Sequence, residues 1–357
     1  MVISTNDISS NSSTNPSRRL LLVSCPRTAS NLLTKILSIP DQPNVLANDA
    51  GGYFFYDAFM ATAFSGCAEK PLAEWTEKER SDVQSVFQKC VDNLEEWSAR
   101  AKSEGKFLFT KEHAFWFVNP AAFGNIINDT TTDVSTTEPL RLQFPAAYGE
   151  QTFSGSNHTI LPDEYLRTWQ LAFIIRHPAL VFASLYRAMN KMSTGGLFDP
   201  KAVKATLVTN MTLRWTRLLC DWCSEQPDTE PVIIDANDVI HNPKAVIRFC
   251  ELTGLDSSAL KFKWDSKKPE EPAHAVGGED TPEDEKAAHR AASGIMLSTL
   301  RESSGVVKSK APDTVDIEAE AKKWKEEFGE EMGAMIEKAV WDAMPDYEYL
   351  LTKRVQA

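Results

Sequence analysis

Two stretches in which an apolar strand runs straight into a polar loop and a helix narrow the fold more than any other feature of this chain. The first is Leu20-Leu21-Leu22-Val23-Ser24, followed by Cys25-Pro26-Arg27-Thr28-Ala29-Ser30-Asn31-Leu32-Leu33. The second is Leu171 to Ile175, followed by Arg176-His177-Pro178 and a helix that carries Ser184, eight residues after the arginine. Short, continuous apolar runs read as strands buried on both faces, and the helices between them supply the cover. Further strands are expected over residues 106–110 and 231–235. Helices are expected over 30–39, 72–103, 202–224, from Asn242-Pro243 to Gly254, and over 283–301 and 317–343. This alternation predicts an α/β domain with a mainly parallel central sheet between two helical layers.

Each β-loop-α unit also offers an anion site. The first N–H groups of a helix lack internal partners, and the helix dipole favours negative charge there. In the first unit Arg27 supplies charge, Thr28 and Ser30 supply hydroxyls, and the backbone from Thr28 through Ala29 to Asn31 supplies N–H donors. In the second, Arg176 and Ser184 do the same. Taken alone, the first loop could equally be a helix start capped by Ser or Thr. A nucleotide with phosphates at two positions would use both units. The Gly-x-x-x-x-Gly-Lys-Ser/Thr loop of the NTPases is absent, which argues against a small-molecule kinase.

Composition limits the partners. The formal net charge of −12 argues against non-specific binding to nucleic acid or an anionic membrane, so any anion must be held by local basic residues. No stretch approaches the roughly 20 apolar residues that span a bilayer. The Ser/Asn/Thr-rich residues 1–17 read as a disordered tail without a signal-peptide core. Six scattered cysteines do not form a disulfide framework, and a reducing cytoplasm is the expected compartment. Cys220 and Cys223 have a metal or redox spacing, but they lie in a helical run with no second Cys/His pair nearby, so no metal is expected. Trp215 and Trp222 are expected in the core. Asn-x-Ser/Thr triplets at Asn11, Asn128, Asn157 and Asn210 are read as chance.

The motifs resemble those of the sulfotransferases that use 3'-phosphoadenosine 5'-phosphosulfate. Pro26-Arg27-Thr28-Ala29-Ser30-Asn31 falls on that family's 5'-phosphosulfate motif, with Ala29 where a glycine is usual and Leu32 where many members have tryptophan. Arg176-His177-Pro178 and Ser184 fall on its 3'-phosphate motif. Asp235-Ala236-Asn237-Asp238-Val239, Asn242-Pro243 and Phe249 to Leu255 are similar to its later strand and helix region, whereas the glycine-rich C-terminal motif of animal cytosolic members is not visible. The resemblance covers about residues 18–255 and is closest to the broader bacterial and fungal-type branch.

The resemblance implies the P-loop-NTPase-like sulfotransferase fold as a single domain over 18–357, with an acceptor-loop insertion at 119–163 and a helical C-terminal part at 283–343. It implies sulfuryl transfer from 3'-phosphoadenosine 5'-phosphosulfate, as co-substrate, to a hydroxyl of a small molecule, with secondary metabolism as one setting. Lys111-Glu112-His113 occupies the place of the family's Lys-x-His. It makes His113 the candidate base, with Lys111 and Arg27 stabilising developing charge and Glu112 facing solvent. His158 is the weaker candidate base. Arg187, Lys191, Arg214 and Arg217 read as helix-surface charges. The aromatic segments 53–59 and 115–117, with the loop to Asp163, are expected to line the acceptor pocket. Transient sulfation that promotes elimination or cyclisation is one alternative, and a nucleotide-binding protein without turnover is another. Oligomeric state is left open by the sequence.

Overall fold

The computed structural model describes residues 19–67, 70–127, 139–265 and 283–356. The expected tail at 1–17 and part of the 119–163 stretch lie outside these described residues. Five strands, β1 (Arg19–Ser24), β2 (Val45–Leu46), β3 (Phe107–His113), β4 (Trp169–Ile175) and β5 (Val232–Asp235), form one sheet in the order β2-β3-β1-β4-β5. Every pair is parallel.

The sheet is buried on both faces, as its unbroken apolar strands require. Leu21, Val23, Leu108, Leu171, Phe173 and Ile233 point to one face, against Phe55, Phe87, Phe117 and Trp222. Leu20, Leu22, Phe109, Ile174 and Ile234 point to the other, against Leu33, Ile36, Val246 and Phe249. A third cluster joins the Pro178–Thr194 helix, through Val181, Phe182, Leu185 and Met189, to the C-terminal helices Ile317–Phe328 and Glu330–Thr352, through Trp324, Ile336 and Val340.

Topology places the site. After β1 the chain builds β2 and β3 on one side of it, then crosses to build β4 and β5 on the other. Open parallel sheets bind ligands where the strand order reverses in this way, outside the carboxyl ends of the strands. In register, Ser24 lies opposite His113, and Val23 opposite Phe173. The Cys25–Ala29 loop, the end of β3 and the Arg176 turn therefore emerge side by side.

Several elements depart from expectation. The expected 202–224 helix is two helices, Pro200–Asn210 and Arg214–Glu225, and its break accepts the Cys25 thiol on the Asn210 carbonyl at 3.2 Å. Likewise 283–301 is Glu283–Met296 followed by Ser298–Glu302, and 317–343 breaks at Gly329 and continues to Thr352. The 72–103 segment is a short 3-10 turn and then the Glu77–Ser103 helix, started by a capping box between Thr76 and Glu79. Trp215 and Trp222 are in the core. Cys220 and Cys223 are free and buried, and no metal-holding cluster occurs among the described residues. No helix of the described residues is long and apolar enough to cross a membrane.

Candidate active site

β1 ends at Ser24, and the chain turns through Arg27 at φ 72° and Ala29 at φ 66° before the Ser30–Leu37 helix begins. Left-handed backbone at an alanine is costly, and here the turn forms with a Cβ present. Thr28 is fully buried and its hydroxyl donates to the Cys25 carbonyl at 2.7 Å, so it braces the loop rather than lining the cavity. No side chain caps the helix. The first backbone bond into it runs from Leu33 N to Ala29 O. Its leading N–H groups are therefore without a capping acceptor at the cavity wall formed by Ala29, Ser30 and Asn31.

Arg27 and Arg176 meet here. The Arg27 Nε donates to Ser184 Oγ at 3.0 Å, and its Nη1 donates to the Met296 carbonyl. From β4, Arg176 donates through Nη1 to the Arg27 carbonyl at 3.1 Å and through Nη2 to the Lys310 carbonyl at 2.6 Å. Its Nε is buried without a partner. Among the described residues neither guanidinium has a carboxylate at ion-pair distance. Burial lowers the pKa of Arg27; burial first, and then Arg27, push Arg176 down to about 10, against the opposing pull of Asp235. Both stay charged at neutral pH. Two partly buried positive charges held on neutral oxygens beside an uncapped helix start are an arrangement able to hold an anion.

Lys111 and His113 alternate with Glu112 along β3. Lys111 is buried, donates to Asn31 Oδ1 and lies 4.5 Å from the Tyr53 ring centre. It is not itself a cavity wall and acts from behind Asn31. His113 does line the cavity. Burial first, and then the Lys111 ammonium, push it down to about 3, so the ring is neutral at pH 7. Trp116 meets it edge-on with centroids 4.5 Å apart, and Tyr53 lies 5.4 Å away. Tyr53 is delivered by Gly51-Gly52: Tyr53 N donates to Lys111 O at 2.8 Å, and a Cβ on Gly52 would sit 2.2 Å from that same oxygen. Glycine is required at this approach.

Glu112 corrects the expectation that it faces solvent. It is 1% exposed, because β3 lies between β2 and β1 in a sheet covered on both faces. Its Oε1 accepts from Phe54 N at 2.6 Å, its Oε2 has no partner, and burial pushes the carboxyl up to about 8.

The cavity measures about 580 Å³ and extends from the two arginines past His113. Tyr53, Tyr56, Phe59 and Trp116 form one aromatic wall, and Met189, Met192, Phe198 and Trp324 form another. Phe115 and Phe117 do not line it, nor does any described residue of 119–163. Instead Leu140, Leu142, Ile160 and Leu161 join the core on the side of the Glu77–Ser103 helix. His158 is likewise away from the cavity. Lys191 does not line it either, Arg214 and Arg217 pair with Asp346, and Arg187 reaches the wall but is paired with Glu327 at 2.6 Å.

Two contributions were not read from the sequence. One is the 296–312 wall, which holds the arginines through backbone carbonyls that carry no sequence signal. The other is Ser24, whose only signal is its place at the end of β1.

A parallel sheet whose switch point opens into a cavity lined by two arginines, a neutral histidine and aromatic walls places this chain in the class of α/β proteins that bind ligands at the carboxyl ends of their strands. Comparison with known proteins makes the class specific. The chain is 37% identical over 352 residues to sulfotransferase ppzF of Metarhizium rileyi, covering 95% of this chain and 96% of that protein. It is 36% identical over 354 residues to sulfotransferase ppzF of Metarhizium majus, covering 95% and 97%. The chain belongs to the sulfotransferase family. No family model matches it. Among solved structures, a sulfotransferase domain from the curacin biosynthetic pathway aligns with 87% of this chain and 96% of its own at 12% identity and a TM-score of 0.37.

Proposed function

We propose that this sulfotransferase takes 3'-phosphoadenosine 5'-phosphosulfate as donor and a phenolic or alcoholic hydroxyl of an uncharged, largely aromatic small molecule as acceptor. The observation that carries the donor assignment is a pair of partly buried arginines without carboxylate partners at ion-pair distance, Arg27 on Ser184 and Arg176 on the Arg27 carbonyl, beside the uncapped helix. The residues fit a doubly phosphorylated nucleotide. Arg176 and Ser184 would take the 3'-phosphate. Arg27, Ser30, Asn31 and the backbone of the Thr28–Asn31 turn would take the 5'-phosphosulfate.

The bound donor supplies an electrophilic sulfur and a phosphate leaving group. As the acceptor oxygen bonds to sulfur, the bond from sulfur to the bridging phosphate oxygen breaks, and its electron pair stays with the departing phosphate. His113 Nε2 takes the acceptor's hydroxyl proton. Arg27 and the helix start stabilise the charge gathering on the leaving oxygen; Lys111 adds positive charge from behind Asn31 and holds that side chain. A base held at about 3 is weak, but an anion placed beside it raises an imidazole's pKa, so donor binding would bring His113 towards its working range.

The acceptor end supports the second half. Asn210 is 2% exposed, and its Nδ2 is spent on the Thr206 carbonyl and Thr209 Oγ1, both at 2.9 Å. Its Oδ1 is unpartnered, as are the indole N–H groups of Trp116 and Trp324, and all three residues line the cavity. These atoms are themselves screened from the cavity surface, so the aromatic walls, and not these polar atoms, are what would hold the acceptor. The cytoplasm is the proposed compartment, supported by six free cysteines.

The test is a thermal-shift titration with 3'-phosphoadenosine 5'-phosphate, ADP and ATP. Preferential stabilisation by the 3',5'-bisphosphate is expected, and equal or greater stabilisation by ADP would refute the donor assignment.

A further inference from the structure

We infer that Ser24 is a positioning residue that fixes which ring nitrogen of His113 carries the proton, leaving Nε2 as the acceptor that faces the cavity. The catalytic consequence rests on the base assignment above; the tautomer itself does not.

The two residues are register partners on neighbouring parallel strands, and Ser24 is fully buried. Its Oγ lies 2.9 Å from His113 Nδ1 and 3.1 Å from the Glu112 carbonyl oxygen. A serine hydroxyl has one proton to give, and a carbonyl oxygen has none. Both contacts become hydrogen bonds in one arrangement only: Ser24 O–H donates to the Glu112 carbonyl, and His113 Nδ1–H donates to Ser24 Oγ. Nε2 then carries the lone pair on a ring that lines the cavity, and a hydrogen bond with the Ser24 backbone also holds that ring. If Ser24 donated to Nδ1 instead, the Glu112 carbonyl would lose the Ser24 proton. Nε2 would then be protonated and unable to receive a proton from the acceptor hydroxyl. The partner of a histidine's far nitrogen sets its tautomer and orientation in this way. A neutral hydroxyl does so without adding negative charge, consistent with a base whose strength is left for the bound donor to raise.

The experiment is long-range proton–nitrogen NMR on the full chain labelled with [15N]histidine, His113 being assigned by the signals lost in His113→Gln. The unmodified protein should show His113 protonated at Nδ1 and bare at Nε2. A proton on Nε2, or a mixture of tautomers, overturns the proposal whatever the turnover. Ser24→Ala should give the mixture and lower kcat about 10- to 100-fold, short of the 10²–10⁴ of full acid–base catalysis, with affinity for 3'-phosphoadenosine 5'-phosphate within twofold. Ser24→Thr, which keeps the hydroxyl, should restore both tautomer and kcat. An Nδ1-protonated ring in Ser24→Ala with unchanged kcat contradicts the assignment. If His113→Gln keeps full turnover while the unmodified ring has the stated tautomer, the base reading fails and the role of Ser24 in setting the tautomer stands.

Discussion

Replacing Arg176 by methionine isolates the charge proposed to bind the 3'-phosphate. Methionine keeps most of the side-chain length but removes the guanidinium, so the Arg27 and Lys310 carbonyls each lose a donor. Each such loss costs about 1 kcal/mol, while removing one of two neighbouring positive charges, opposed only in part by Asp235, acts in the opposite direction. The fold should therefore survive with stability changed by no more than roughly 2 kcal/mol. Binding should suffer more. Truncating one partner of a buried, hydrogen-bonded charge pair costs about 2–5 kcal/mol, and the lower figure alone is a loss of roughly 30-fold. Calorimetric titration with 3'-phosphoadenosine 5'-phosphate and with adenosine 5'-phosphate, which differ only in the 3'-phosphate, reads the effect directly. The unmodified protein should prefer the bisphosphate, and Arg176→Met should erase that preference while leaving the monophosphate nearly unchanged. Equal losses for the two nucleotides would show that Arg176 supports the loop without reading the 3'-phosphate.

Two further substitutions examine the surroundings of the site. Glu112, pushed up to about 8 by burial, is protonated in the folded chain at pH 7 and ionised in the unfolded one. Its folded pKa lies above its unfolded value near 4.5, so stability falls as pH rises from there to about 8. Glu112→Gln should match the unmodified protein near pH 4 and exceed it at pH 8 by at most roughly 3–5 kcal/mol in urea unfolding; the same pH slope in both proteins would contradict the buried, neutral carboxyl. Ala29→Gly relieves left-handed backbone at φ 66° and should stabilise the fold by up to about 1 kcal/mol without loss of turnover. A lower melting temperature would mean that the turn is not strained by the Cβ.

The reach of the sequence can be traced residue by residue. Arg27 and Ser184 are 157 positions apart and end 3.0 Å from each other. Their meeting was legible because each sits a fixed number of residues from the carboxyl end of a strand, and neighbouring parallel strands align those ends. Arg176 was legible for the same reason. Glu112 was not: alternation along a strand separates it from Lys111 and His113, but only the strand order reveals that both faces of β3 are covered. The break after Asn210 has no glycine or proline to announce it, and a tertiary contact from Cys25 marks it. The 119–163 stretch looked like pocket lining because it is long and polar, yet the apolar residues Leu140, Leu142, Ile160 and Leu161 within it go to the core.

Transfer of ³⁵S from labelled 3'-phosphoadenosine 5'-phosphosulfate to simple phenols, by the unmodified protein and by His113→Ala, tests the central claim most directly. Label should appear in the phenol with the unmodified protein. It should fall by about 10²–10⁴ with the variant, while calorimetry finds binding of the desulfated nucleotide intact. Undiminished transfer by His113→Ala would contradict the account.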